Sequence, residues 1–326
     1  MNEGVLERHP FAIIRNGKYD MNLCNLAEIH RLMERHGIAP RKSFGQNFLV
    51  NAAIPEEIAD TSAYASAVFP RKDAERVSVL EIGPGIGALT RELAARYPAV
   101  TAVEIDDGLI PVLAETLADC ENARVIHADF MKTDARALID EIANGGCVHV
   151  CANLPYYITT PILTALLDAY LPDGNSPITR ITLLVQSEFA NRVCAEAGDK
   201  DYSATTVLLA LYGQARRMFS VSAGNFYPVP KVESAGLCVD TYPAGLRDLY
   251  PECPTGESFA PYFAKLKTVV ETAFLMRRKA LPNALQSLFP KEKTEAALTA
   301  LGIRPDIRGE KLSPLDFCRL TAQLMQ

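Results

Sequence analysis

Between residues 77 and 240, apolar runs of five or six residues alternate with stretches where apolar side chains recur every three or four positions. The runs Val77–Ile82, Val100–Ile105, Arg124–Ala128, Val148–Ala152, Ile181–Gln186, Arg217–Val221 and Ser234–Val239 predict seven strands. The intervening patterns predict helices, for instance Leu89–Arg96, Leu109–Leu117, Thr160–Tyr170 and Glu188–Glu196. Strand–helix repetition predicts an α/β fold with a parallel, doubly wound sheet. The last two strands lie close together, joined by a loop rich in proline and aromatic residues.

Outside that region the pattern changes. Leu23, Leu26, Ile29, Leu32 and Met33 recur at helical spacing between Met21 and Gly37, and Gly37 ends the helix. Residues 1–20 carry no strong periodicity and are expected to be disordered, with Met21 a candidate alternative start. After residue 240 strand patterns cease. Phe259–Arg278, Leu281–Leu288, Thr294–Leu301 and Pro314–Leu324 predict a small all-helical domain. The expected organisation is an N-terminal extension and helix (1–37), a catalytic domain (38–240) and a helical domain (241–326). The Pro- and Gly-rich stretch Asp240–Ser258 is the linker, and 326 residues suit two domains.

Composition is that of an ordinary globular protein, with 48% hydrophobic and 22% charged residues. No apolar stretch is long enough to predict a membrane span, and the N-terminus has acids where a secretory signal needs an apolar core. Eight cysteines without a C-x-x-C pair argue against a zinc site or a disulfide framework, so no metal and a reducing cytoplasm are expected. The net charge of −6 opposes a nucleic-acid partner at first sight. Its distribution does not: residues 241–326 carry +3 and the remainder −9. Basic clusters stand at Arg41-Lys42, Arg216-Arg217 and Arg277-Arg278-Lys279, and such patches would have to make any phosphate contacts. Charged clusters are more often merely solvated faces.

Three stretches carry candidate chemistry. Val79-Leu-Glu-Ile-Gly83-Pro-Gly85-Ile-Gly87 is a strand running into a glycine turn that lets backbone approach a ligand. Twenty-one residues after Gly83, Glu104 ends the next strand, where an acid can take both ribose hydroxyls. This pair fits NAD and S-adenosylmethionine equally, because both carry an adenosine. Asp129 ends the third strand and can accept from an adenine amine while Ile105 or Phe130 packs on the ring; it could equally be the N-cap of a following turn. Asn153-Leu154-Pro155-Tyr156 closes the fourth strand. A short amide, a rigid proline and an aromatic ring there suit gripping a planar base: the Asn oxygen and a backbone carbonyl accept from an exocyclic amine, and the Tyr ring stacks. The plainer reading is that Pro155 ends the strand and Asn153 bonds the local backbone. Phe226 sits in a Pro-rich loop, available for stacking, or is core between two strands.

Taken in order, Lys42-Ser-Phe-Gly-Gln-Asn47-Phe-Leu49, the Gly83 loop, Glu104, Asp129, Asn153–Tyr156 and Phe226-Tyr-Pro-Val-Pro-Lys231-Val-Glu-Ser234 resemble the ribosomal RNA adenine dimethyltransferases. The resemblance is greatest to the small-subunit, kasugamycin-sensitivity branch, and covers roughly residues 21–326. It implies a Rossmann-like class I methyltransferase sheet, S-adenosylmethionine as donor, and two adjacent adenines near the 3′ end of small-subunit rRNA in the 30S particle as acceptors. Asn47 and Leu49 match positions that close over the donor. Gly83 and Gly85 match the donor loop, Glu104 the ribose acid and Asp129 the adenine acid, with Ile105 and Phe130 beside the ring. Asn153 matches the residue between donor and target, and Phe226 an aromatic across the target base from Tyr156. Arg41, Lys42, Lys231, Arg277, Arg278 and Lys279 are the candidate RNA contacts, and a monomer is expected. The chain departs from the family pattern at Ser187, Ser203, Tyr227 and Val229.

Three other readings compete. A large-subunit rRNA dimethyltransferase shares fold and motifs. A non-catalytic RNA-binding assembly factor would not need an intact donor site. An NAD-dependent oxidoreductase accounts for the glycine turn but leaves Asn153–Tyr156 and Phe226 unexplained.

Overall fold

A computed structural model describes residues 22–41, 44–64, 76–170 and 176–326; the expectations for residues 1–20, Met21 and Lys42 fall outside these. The strands are β1 (Phe48–Leu49), β2 (Val77–Ile82), β3 (Val100–Glu104), β4 (Ala123–His127), β5 (Cys147–Asn153), β6 (Ile178–Gln186), β7 (Gly213–Val221), β8 (Phe226–Tyr227) and β9 (Ser234–Thr241). Helices α1 (Leu26–His36), α2 (Ala53–Tyr64), α3 (Ala88–Ala94), α4 (Ile110–Thr116), α5 (Ala135–Ala143), α6 (Thr159–Asp168), α7 (Ser187–Val193) and α8 (Ala204–Ala210) flank or connect them. The chain finishes with α9 (Phe259–Leu275), α10 (Leu281–Ala284), α11 (Lys291–Ala300) and α12 (Pro314–Leu324).

All seven expected strands join one sheet, in the order β4-β3-β2-β5-β6-β9-β7. The first five run parallel, and β9 is antiparallel to both β6 and β7. The chain leaves β2 toward β3 and β4, then returns to the other side of β2 as β5. That reversal opens a crevice at the carboxyl ends of the central strands.

One strand and one helix begin away from the expected residue. β7 starts at Gly213 rather than Arg217, because Gln214 and Arg216 on this edge strand hide the apolar alternation while their backbone still pairs with β9. α1 starts at Leu26 rather than Met21: the Asn25 side chain accepts from the Ala27 and Glu28 amides and fixes the N-terminus there. Its apolar stripe shares a hydrophobic cluster with Phe48, Ile86, Leu109 and Val112, so the helix packs into the sheet domain. Ser203, one of the family departures, caps α8 through a reciprocal pair with Thr206.

The C-terminal helices do not hang from a free linker. Their core of Phe259, Phe263, Leu266, Phe317 and Leu320 is continuous with Tyr202, Val207, Leu211 and Tyr212, on and beside α8. On the opposite side of the sheet from this joint, Arg180 and Asp240 form a buried ion pair at 2.8 Å. The Arg180 guanidinium also donates to the Ser62 carbonyl at 2.9 Å, satisfying the C-terminal turn of α2.

Candidate active site

The crevice is a cavity of about 390 Å³, walled by the ends of β2, β3, β4 and β5, residues 44–49 and Phe226. That volume lies in the ordinary range for small-ligand sites. The sheet's apolar strands deliver one polar residue each to its floor, which is why the motifs sit at strand ends.

After β2 the backbone turns through Gly83 (φ 71°), Gly85 (φ 61°) and Gly87 (φ 89°). At Gly85 the left-handed conformation and the Phe48 ring, 3.4 Å from where a Cβ would stand, both favour glycine. The Gly85 amide donates to Glu104 at 3.2 Å, and the Asp106 amide donates to its other oxygen at 2.8 Å. Burial nevertheless raises the Glu104 pKa above the usual carboxylate value. Asp129 is the N-cap that the sequence offered as one of two readings, and it also stands at the cavity wall. It caps the short 3₁₀ turn Phe130–Lys132 by accepting from the Met131 amide, meets Lys132 at 3.3 Å, and lines the cavity. Phe130 is buried, whereas Ile105 exposes 44% of its surface; both line the cavity.

Asn153 Nδ2 donates to the Asn47 carbonyl at 3.4 Å, and Asn47 Nδ2 donates to the Gly45 carbonyl at 2.9 Å. This ties the strand-end motif to the 44–49 segment and leaves Asn153 Oδ1 as the acceptor of a residue that lines the cavity. The Pro155 carbonyl is engaged by the Ile158 amide (3.1 Å) and the Thr159 hydroxyl (3.4 Å). Of the two carbonyls the sequence offered as second acceptor, this favours Leu154; the Leu154 side chain itself is core. Tyr156 is anchored through its hydroxyl to buried Ser234 at 2.8 Å, and burial raises its pKa, so it stays neutral.

Phe226 lies in a strand rather than the loop expected. It pairs with Leu49 across β1–β8, is only 2% exposed, and packs with Leu49, Leu184 and Val221 while lining the cavity. The expected aromatic wall is thus also a core residue, because the two-stranded ribbon buries it.

Sequence reasoning missed Glu81. Its side chain is 1% exposed within β2, it lines the cavity, and its Oε2 meets no partner among the described residues. Burial pushes its pKa up to about 8, partly offset by the Thr90 hydroxyl and reinforced by Glu104. The available signal was an acid inside an otherwise apolar run, two residues before Gly83. A buried, unsatisfied carboxyl oxygen is complementary to a cation. With the Glu104 and Asp129 acceptors and the Ile105 and Phe130 side chains, the cavity fits a nucleoside whose other end is cationic, as in S-adenosylmethionine.

The candidate RNA contacts divide. Arg277 is drawn into the protein: it pairs with Glu310 at 2.5 Å and donates to the Asp199 and Lys200 carbonyls. α9 accordingly ends at Leu275, short of the expected Arg278. Arg41 is bound to Asp106 and Asp107. Arg278, Lys279 and Lys231 are exposed. Of the remaining basic cluster, Arg216 pairs with Asp240 and Arg217 bonds Ser187 and Ser220.

Comparison with known proteins agrees with this geometry. The chain is 38% identical over 303 residues to ribosomal RNA small subunit methyltransferase A of Shouchella clausii, covering 91% of this chain and 94% of that protein. It is 39% identical over 310 residues to the protein of that name from Ligilactobacillus salivarius, covering 93% and 96%. Among solved structures, the 23S rRNA methyltransferase ErmE superposes with a TM-score of 0.62 at 28% identity, over 86% of this chain and all of that one. A dimethyladenosine transferase from Plasmodium falciparum, 23% identical, has the same fold over 83% of this chain and 95% of its own, with a TM-score of 0.62. The sequence pattern of ribosomal RNA adenine dimethylases matches residues 38–326. With the glycine turn, Glu104, Asp129 and the Asn153 motif gathered in one cavity, the chain belongs to the ribosomal RNA adenine dimethylase family.

Proposed function

We propose that this protein dimethylates the N6 amines of two adjacent adenosines in the 3′-terminal hairpin of small-subunit rRNA, acting in the cytoplasm as a monomer on the 30S particle. The enzyme class and the donor, S-adenosylmethionine, follow from membership of the family. The small-subunit reading draws support from the names of the two bacterial relatives, which share more identity with this chain than ErmE does.

One observation carries the mechanism: Asn153 lines the cavity and its amide nitrogen is engaged by the Asn47 carbonyl, which leaves its oxygen as the acceptor. An adenine amine is a poor nucleophile because its lone pair is delocalised into the ring. Asn153 Oδ1 and the Leu154 carbonyl accept its two protons and favour a pyramidal nitrogen, freeing the lone pair. S-adenosylmethionine supplies an electrophilic methyl group on a sulfonium. Neither acceptor is a strong base, so the proton leaves to water after transfer. Catalysis then rests on alignment and charge placement, with effective molarities of ~10⁵–10⁸ M in well-oriented cases. The target must leave its stack, which costs a few kcal/mol. Stacking on Tyr156 and the Phe226 wall, about 1–3 kcal/mol per base, offsets that. Glu104 and Asp129 hold the ribose and adenine of the donor, Asn47 and Leu49 close over it, and Glu81 faces its cationic end. Residues 241–326 form the RNA-contacting domain, with Lys231, Arg278 and Lys279 meeting phosphates.

The test is transfer from labelled S-adenosylmethionine to 30S particles from a strain lacking this gene, with mass spectrometry of the digested RNA. Dimethyladenosine in the 3′-terminal hairpin is the expected product. Transfer confined to large-subunit RNA, or donor binding without transfer, would overturn the reading.

A further inference from the structure

Two tyrosines follow Pro155, and the structure uses them differently. The Ile158 amide donates to the Pro155 carbonyl, closing a turn with Tyr156 and Tyr157 at its centre. Tyr156 is held inward by Ser234. Tyr157 lines the same cavity yet exposes 62% of its surface, so its ring stands at the rim. It is not loose there. A Cβ on Gly45 would lie 3.2 Å from Tyr157 Cε1 and 3.1 Å from Pro155 Cβ, so the ring edge rests on the backbone of the segment that carries Asn47. Gly45, at φ 60°, is in the left-handed region, and its missing side chain is what lets this contact form. Phe44, another aromatic of the cavity wall, is already covered: the Arg41 guanidinium lies 5.8 Å from its ring centre.

An exposed, buttressed phenol beside the target pocket has an evident use when the substrate is a pair of adjacent adenosines. Moving one base into the cavity strips its neighbour of a stacking partner on one face. We propose that Tyr157 is a positioning residue that receives this neighbouring adenine by stacking, while Tyr156 faces the adenine being methylated. The inference rests on the reading given under Proposed function. It adds a second base-recognition point, outside the reacting atoms, that holds the dinucleotide in register. After the first adenosine is modified, the same platform takes the other one's neighbour, so one rim serves both targets.

The experiment uses the full-length enzyme, undermethylated 30S particles, and the variants Tyr157→Ala and Tyr157→Phe. Tyr157→Ala is expected to raise KM for the particles about ten-fold, with kcat and donor affinity within two- to three-fold; Tyr157→Phe, which keeps the ring, should behave as wild type. On particles with uridine in place of one of the two adenosines, the Tyr157→Ala penalty should shrink to about two-fold, because a pyrimidine stacks less well on the platform. A full ten-fold penalty on the uridine particles would overturn the proposal, as would a Tyr157→Phe variant as impaired as Tyr157→Ala, or a loss confined to kcat. Absence of transfer by the wild-type enzyme to adenosine-containing particles would instead overturn the reading of function, and this proposal with it.

Discussion

Asn153 and Asn47, separated by more than a hundred residues in sequence, are joined by a single hydrogen bond from the Asn153 amide nitrogen to the Asn47 carbonyl. The bond assigns the two ends of the Asn153 amide. Its nitrogen holds the 44–49 segment, and its oxygen is left as the acceptor that the proposed mechanism uses. Removing the side chain therefore removes an acceptor and an anchor together.

Asn153→Ala is expected to lower kcat by about 10²–10³-fold, the usual cost of deleting one aligned polar group at a reacting centre. Donor affinity should stay within several-fold, because Glu104 and Asp129 are untouched. Single-turnover methyl transfer alongside calorimetric titration measures both; near-normal turnover would sink the mechanism.

Glu104→Ala should act oppositely, weakening donor binding by about 10–100-fold, as expected for a charge-assisted hydrogen bond. Glu104 also receives the Gly85 and Asp106 amides, so part of the loss comes from the glycine turn. Titration with S-adenosylhomocysteine, which has no transferable methyl, isolates binding; an unchanged dissociation constant would refute the ribose role.

Glu81 makes the apo protein pH-sensitive. Its folded pKa of about 8 lies above the ordinary 4.5, so between those values the folded state holds a proton that the unfolded state has released. Stability from this group is complete below pH ~4.5 and is lost as pH rises through about 8. Glu81→Gln should thus match the wild-type melting temperature near pH 5 and exceed it near pH 9. Donor binding, which brings a cation to the ionised form, should release a proton near pH 7. Calorimetry in buffers of different ionisation enthalpy reads that release, and none would refute the assignment of the cationic end.

Arg277 and its neighbours separate stability from RNA binding. Arg277→Ala breaks the contacts to Glu310 and to two carbonyls, and should cost roughly 1–2 kcal/mol of stability, read by denaturant unfolding. Replacing exposed Arg278 and Lys279 together should leave the unfolding midpoint unchanged, weaken binding to 30S particles and flatten its salt dependence by about one to two units of slope. The reverse pattern would show that Arg277 is the RNA contact.

Asp240→Ala should be severe, at about 3–5 kcal/mol, because it leaves the Arg180 guanidinium buried without its counter-charge. Thermal melting of the single and double Arg180/Asp240 variants would check this: the double change should cost less than the sum of the two single ones.

Local sequence determined a good deal here. Buried parallel strands must be largely apolar runs, so β2, β3 and β5 were legible within a residue or two, and the polar residues ending them marked the cavity wall. Glycine at positions of positive φ and acids at strand ends are local requirements, readable without knowing the fold. Tertiary packing decided the rest. It gave Arg277 and Arg41 partners within the protein, because whether a cation is paired depends on where distant acids fall. It placed Phe226 in a two-residue strand that only exists against Leu49, and split adjacent Tyr156 and Tyr157 between interior and rim. It also left Glu81 buried without a partner for Oε2 among the described residues. A strand's own pattern cannot reveal that, because the environment of a buried charge is made by neighbouring chain segments rather than by its own.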